Sequence, residues 1–251
     1  MSTLPFDLAA AMSHLSAKDE KLAELISATV QFALDESAAS SPFEALLEAI
    51  AYQSISGKAA ATIYGRVKAL SGTDKPPSPQ QMLKLGKPAL RKAGLSAAKI
   101  AAMKDLAQKT IDGIVPTREQ AEKMSDEELV ERLVSVRGIG AWTVEMFLIF
   151  NLGRPDVLPI HDLGVKKGWS VAYGKKHMPT PKQLLAFGER WRPYRTVASW
   201  YMWRAFERAG HAFTNRIRPP KRRKKRRQHP KSMPDTKSLP NPRKRRSRSV
   251  G

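Results

Sequence analysis

Residues 133–168, LVSVRGIGAWTVEMFLIFNLGRPDVLPIHDLGVKKG, hold two features whose residue types and spacing can do chemistry. The first is a glycine-bearing hairpin, Val136-Arg137-Gly138-Ile139-Gly140, set between two apolar-periodic runs. Glycines there permit a tight reversal and let a foreign phosphate approach main-chain N–H groups with no Cβ in the way. The start of the following helix adds the positive end of its dipole at the same spot. The same glycine pair also serves any helical hairpin, so a purely structural role stands beside phosphate contact. The second feature is a lone acid further along, Asp162, in LPIHDLGVKK. Aspartate is a preferred helix N-cap. An acid at a helix start is also kept ionised by the dipole, and an ionised carboxylate can stabilise a developing positive charge. Position alone leaves both readings of Asp162 open.

The elements that must position these residues read as helices. Ser41-Pro42-Phe43-Glu44 combines an N-cap serine, proline at the first helical position and a capping-box glutamate. Helix starts of the same type recur at Ser78, Thr117, Ser125 and Thr180, and alternating strand patterns are scarce, which predicts an all-α body. After Ser41, residues Phe43, Leu46, Leu47, Ile50 and Ala51 fall on one stripe. A break at Gln53-Ser54-Ile55-Ser56-Gly57 precedes a second helix over 58–70 with Ala60, Ile63, Tyr64 and Val67 inward. Gln53 is polar where two helices meet; a solvated or capping role is its plain reading. A helix from about Ser96 to Ile111 ends at Gly113 and Pro116. The helix capped by Ser125, with Leu129, Val130, Leu133, Val134 and Val136 on one face, delivers the chain to the hairpin.

Charge is distributed unevenly. Of 44 Lys and Arg and 23 Asp and Glu, 16 basic residues and one acid lie from Arg216 onward, so residues 216–251 carry +15 of the net +21 and the rest +6. That points to a polyanionic partner. The terminal segment has prolines, like-charge blocks and few large apolar residues, and is expected to be a disordered basic tail. Its residues 221–227 suit a DNA-retention arm or a nuclear-import signal equally. The chain has no cysteine, which removes disulfides and thiolate metal sites. The five histidines show no metal-ligand spacing, and no catalytic metal is expected. No apolar run has the roughly 18–20 residues of a membrane span, so an intracellular protein without membrane contact is expected.

Four blocks in order carry a resemblance: SPFEALLEAIAYQSISGKAAATIYGRV, GLSAAKIAAMKDLA, LVSVRGIGAWTVEMFLIF with DVLPIHDLGVKKG, and WRPYRTVASWYMWR. Across most of residues 41–210 the chain resembles a DNA-3-methyladenine glycosylase II of the helix-hairpin-helix (HhH-GPD) superfamily. The resemblance implies a two-lobed all-α body over 1–215 with a cleft between lobes. The hairpin lobe is expected at about 85–170 and the other at about 1–84 and 171–215. It implies excision of alkylated purines, 3-methyladenine and 7-methylguanine among them, from double-stranded DNA by base flipping. A monomer associated with DNA is expected, in the nucleus of a eukaryote or the cytoplasm of a bacterium.

By position, the resemblance puts Asp162 on the catalytic aspartate and Arg137, Gly138, Ile139 and Gly140 on the DNA-anchoring hairpin. Gln53 and Ser54 fall where relatives probe the gap left by the flipped base, and Ser54 is smaller than the usual probe. Trp142 and Trp203 fall on aromatic positions of the base pocket, where an alkylated cation can stack; taken alone, each is an ordinary core aromatic. Met146 replaces a pocket aromatic, and His161 replaces an acid beside Asp162. Trp142 also occupies the position at which strand-cleaving relatives carry a Schiff-base lysine, so no lyase activity is expected. No cofactor is expected beyond a monovalent cation on the hairpin carbonyls, as in relatives. The alternatives are a non-catalytic hairpin DNA-binding protein, which would not need Asp162 or the tryptophans, and a bifunctional endonuclease III-like enzyme.

Overall fold

Backbone N–H groups in the first turn of a helix have no internal partner, and the side chains that satisfy them fix where helices begin. Ser78, Thr117, Ser125 and Thr180 each accept from the third residue onward while that residue's side chain accepts in return, closing four capping boxes. Ser41 accepts from the Glu44 N–H, with Pro42 opening the helix. A computed structural model describes residues 4–34 and 41–216. In it the chain forms α1 (Leu8–Lys18), α2 (Glu20–Ala28), α3 (Pro42–Tyr52), α4 (Gly57–Ala69), α5 (Pro79–Lys84), α6 (Lys87–Lys92) and α7 (Ala97–Ile111). There follow α8 (Arg118–Lys123), α9 (Asp126–Val134), α10 (Ala141–Phe150), α11 (Leu163–Ala172), α12 (Pro181–Gly188) and α13 (Arg195–Arg216). Among the described residues there is no strand, as expected of an all-α body, and no helix is long and apolar enough to cross a membrane. The expected tail lies outside the described residues, apart from Arg216 at the end of α13.

Two apolar cores are buried. One gathers α3 to α10, from Phe43 to Val157, around Leu46, Leu47, Ile50, Met103, Leu106, Leu129, Leu133 and Leu148. The other joins α1, α2 and Phe32 to Leu158, α11, α12 and α13. Leu34 and Trp203 pack against both. The cores do not divide where the sequence reading set the lobes. The stripe of α3 lies on α7 and α10, on the hairpin side, and α11 lies on α13, on the other. Periodicity shows that a face is buried but not against which element, so the expected boundaries near 85 and 170 fall at about 41 and 157. Val134 also departs from expectation: it is exposed, while Leu129, Leu133 and Val136 of the same helix and its exit are buried.

The segment that crosses between the cores is pinned to the start of α13. The Arg195 guanidinium donates to both carboxylate oxygens of Asp156 at 2.7 and 3.0 Å, and Arg192 donates to the same carboxylate at 2.7 Å. The Thr196 hydroxyl donates to the Arg154 carbonyl and accepts from the Val157 N–H. These bonds fix residues 154–157 immediately before the Asp162 loop.

The N-terminal helices are held by one buried acid. Asp19 caps α2 by accepting from the Leu22 N–H, and its other oxygen accepts from the Tyr173 hydroxyl at 2.6 Å and the Trp191 Nε1 at 3.0 Å. Asp19→Ala leaves the buried Trp191 indole N–H and the part-buried Tyr173 hydroxyl without this partner, a buried donor costing about 1–3 kcal/mol when unsatisfied. A loss of about 3 kcal/mol is expected, read as a lower urea midpoint; an unchanged midpoint would rule out this anchoring role.

Candidate active site

The hairpin begins where α9 ends at Ser135. Gly138 has φ +78°, in the left-handed region that disfavours any side chain, and so turns the chain. Ile139 is buried in the core beneath, which anchors the tip. Gly140 then precedes α10 with no side-chain cap. The N–H groups of Gly138, Gly140, Ala141 and Trp142 meet no acceptor among the described residues, so the hairpin presents donors together with the positive end of α10.

Neighbouring elements hold this loop from two sides. From α7, the Asp105 carboxylate accepts from the Arg137 N–H at 2.7 Å and pairs with Lys109, which itself donates to the Ser135 carbonyl. Burial pushes the Asp105 carboxyl up, but the Arg137 N–H and Lys109 outweigh it and hold it below its ordinary range. From the break between α3 and α4, the Gln53 Nε2 donates to the Gly138 carbonyl at 3.0 Å. Gln53 is both the C-cap of α3, as its plain reading had it, and a strut under the hairpin. Ser54 is exposed at φ +59°, an uncommon conformation for a residue with a side chain. Beside it Tyr52 and Ile55 expose apolar side chains, 37% and 39% accessible.

Asp162 is the N-cap of α11, its Oδ1 accepting from the Val165 N–H at 2.7 Å. It is also the point on which both sequence-selected tryptophans converge. Trp203 Nε1 donates to Oδ1 at 2.8 Å and Trp142 Nε1 donates to Oδ2 at 2.8 Å. Three donors thus occupy three of the carboxylate's four acceptor positions. Trp142, at 46% accessible, is not a core residue. Trp203 is partly buried, stacks on Phe150 with ring centroids 5.7 Å apart, and fills the seam between the cores. Met146, one turn beyond Trp142, packs partly buried on the first core. His161 is exposed.

The approach of Trp203 depends on two glycines that the sequence reading passed over. A Cβ on Gly168 would lie 1.8 Å from the Met202 carbonyl oxygen, and one on Gly164 would lie 2.7 Å from Trp203 Cδ1. Spaced four apart, they share one face of α11 and let α13 lie backbone to backbone against it. A second residue missed is Glu145, one turn after Trp142 in a helix that is otherwise uncharged. Burial pushes its carboxyl up to about 7, and the charge of Asp162 adds to the effect.

The arrangement can bind a polyanion's backbone at the hairpin and holds one carboxylate anchored between two indole donors. Comparison with known proteins agrees with that geometry. Residues 47–193 match the family model described as HhH-GPD superfamily base excision DNA repair protein. The chain is 38% identical over 209 residues to DNA-3-methyladenine glycosylase 1 of Schizosaccharomyces pombe, covering 83% of this chain and 91% of that protein. Among solved structures it is similar to the S. pombe 3-methyladenine DNA glycosylase in complex with abasic DNA, with TM-score 0.71 and 39% identity over 78% of this chain and 95% of that one. It is likewise similar to a DNA-3-methyladenine glycosidase from Bacillus halodurans, with TM-score 0.74 and 32% identity over 84% and 94% of the two chains. The family match spans more than half of the chain and embraces the hairpin, Asp162 and Trp142, and the chain therefore belongs to the HhH-GPD superfamily of base excision DNA repair proteins.

Proposed function

We propose that the chain is a DNA glycosylase that removes alkylated purines of the 3-methyladenine and 7-methylguanine class from duplex DNA by hydrolysis, leaving an abasic site. The observation that carries this reading is the single carboxylate of Asp162, clamped by the Val165 N–H and two indoles beside a hairpin of free N–H groups. The names and the DNA-bound structure of its relatives support it.

A base inside a duplex must rotate out before its glycosidic bond is reachable. The hairpin N–H groups, aided by Arg137, grip the phosphates on one side of the extruded nucleotide. Ile55, lifted by the left-handed Ser54, takes the place of the base in the stack; Gln53 keeps this probe in register with the hairpin. As the bond between C1′ and the purine nitrogen breaks, its electron pair passes to the base and positive charge develops on the sugar, where the Asp162 anion stabilises it. An alkylated purine already carries positive charge, so it leaves neutral without prior protonation. A cation also stacks on the Trp142 face for about 0.5–2 kcal/mol. The chemistry needs no metal, since the chain's own carboxylate supplies the charge, and one copy of the chain contains every residue named.

Mass spectrometry of bases released from methylated, deaminated and etheno-modified DNA tests the reading. Methylated purines are expected to lead; release of only uncharged lesions, or of none, would overturn it. An indole nitrogen cannot form an imine with the sugar, so we expect no trapped complex after borohydride treatment. Recovery of a covalent adduct would contradict hydrolysis as the sole reaction.

A further inference from the structure

Both Asp162 oxygens already accept hydrogen bonds, and only Oδ2 keeps a free acceptor position. That position suffices to hold a water, whose proton must leave as its oxygen bonds to the sugar. Glu145 lies on the helix that carries the Trp142 donor. Its side chain lies one turn along α10 from the Trp142 that binds Oδ2, it is partly buried, and it takes no hydrogen bond or ion pair among the described residues. The charged group that faces it is Asp162. Of the acids on the helices packed against α10, Glu44 and Glu48 of α3 act on Tyr64, and on α9 Asp126 pairs with Arg154 while Glu128 closes the Ser125 cap.

We propose that Glu145 is the catalytic base that takes the proton of the attacking water, while Asp162 holds that water and stabilises the charged sugar. The role rests on the glycosylase reading above. In the step, the C1′–N bond breaks with its pair going to the purine, and the water oxygen bonds to C1′. The water proton passes to the Glu145 carboxylate and on to solvent. A base works best when its pKa is near the working pH, and burial together with the Asp162 charge puts Glu145 there.

The test is single-turnover release of 7-methylguanine and 3-methyladenine from methylated duplex DNA, with enzyme in excess, between pH 5.5 and 8.5. The wild-type rate is expected to rise through about pH 7 and level off, as Glu145 loses its proton. Glu145→Gln should be about 10²-fold slower at pH 8 and lose the rise, with duplex affinity within about twofold. Glu145→Asp, which keeps an acid set back by one methylene, should be slower but retain the rise. A Glu145→Gln rate equal to wild type, or one that is slower with the same pH profile, overturns the role while leaving the glycosylase reading intact. A wild-type chain that releases no base overturns both. Thermal unfolding supplies a readout apart from activity. The folded chain holds this proton up to about pH 7 and the unfolded chain releases it near 4.5. Stability is therefore lost as pH rises through that window, and Glu145→Gln should be free of that loss; an identical fall in Tm for both proteins overturns the assignment.

Discussion

Asp162→Asn is expected to lower single-turnover base release by about 10³-fold or more while duplex affinity changes by no more than a few-fold. The replacement is nearly isosteric, and one amide oxygen can still accept from the Val165 N–H and Trp203 Nε1. The amide nitrogen then faces Trp142 Nε1, a donor facing a donor where Oδ2 accepted at 2.8 Å. The variant therefore loses both the anion that answers the charge on the sugar and the bond that fixes the neighbouring indole. Removing one preorganised electrostatic contact of this kind costs about 10²–10³ in rate, and here two contributions vanish together. The grip on phosphates proposed for the hairpin should survive, because the hairpin is anchored from Asp105 and Gln53 on other helices. Excision measured with enzyme in excess and affinity by fluorescence anisotropy separate the two; turnover at the wild-type rate would take Asp162 out of the reaction.

Gly168→Ala is expected to have the largest effect on folding. The added methyl would stand 1.8 Å from the Met202 carbonyl oxygen, a backbone atom that cannot rotate aside. Relief requires α11 and α13 to part, opening the second core around Val165, Val197, Tyr201 and Met202. Overpacking a well-filled core costs about 1–3 kcal/mol when side chains can yield, and a clash between backbones belongs at or above the upper end. A fall in Tm of about 10 °C is expected, read by thermal unfolding. Gly164→Ala differs in kind, because its methyl meets the Trp203 side chain. It should reduce base release more than stability by pushing the indole from Asp162. A Gly168→Ala chain with wild-type Tm would show that the two helices have slack between them.

Which parts of this architecture were legible beforehand follows from how local their causes are. A helix start is written in a few consecutive residues, and so Ser78, Thr117, Ser125 and Thr180 cap where the sequence placed them. Asp162 read as an N-cap and as an active acid, and its contacts allow both, Oδ1 serving the helix and the Trp203 indole and Oδ2 the Trp142 indole. Trp203 had no local mark; its convergence on Asp162 spans 41 residues of sequence, and only the resemblance selected it. The lobe boundaries were misplaced because the apolar stripe of α3 does not name its partner. Glu145 and the glycines of α11 did leave signals, a lone acid in AWTVEMFLIF and a four-residue glycine spacing in LGVKKG, each of which gains meaning only when a second helix is laid against it.

The crossing near Val157 and Leu158 has a mechanical consequence. The chain leaves one core there and enters the other, and Arg195 and Thr196 rivet the segment to α13. The hairpin, with Gln53 beneath it, belongs to the first core and α11 to the second, while Trp203 of α13 packs against both. Asp162 takes one indole donor from α10 and one from α13. A displacement of one core against the other would stretch one of these two bonds, so the carboxylate itself couples the two cores.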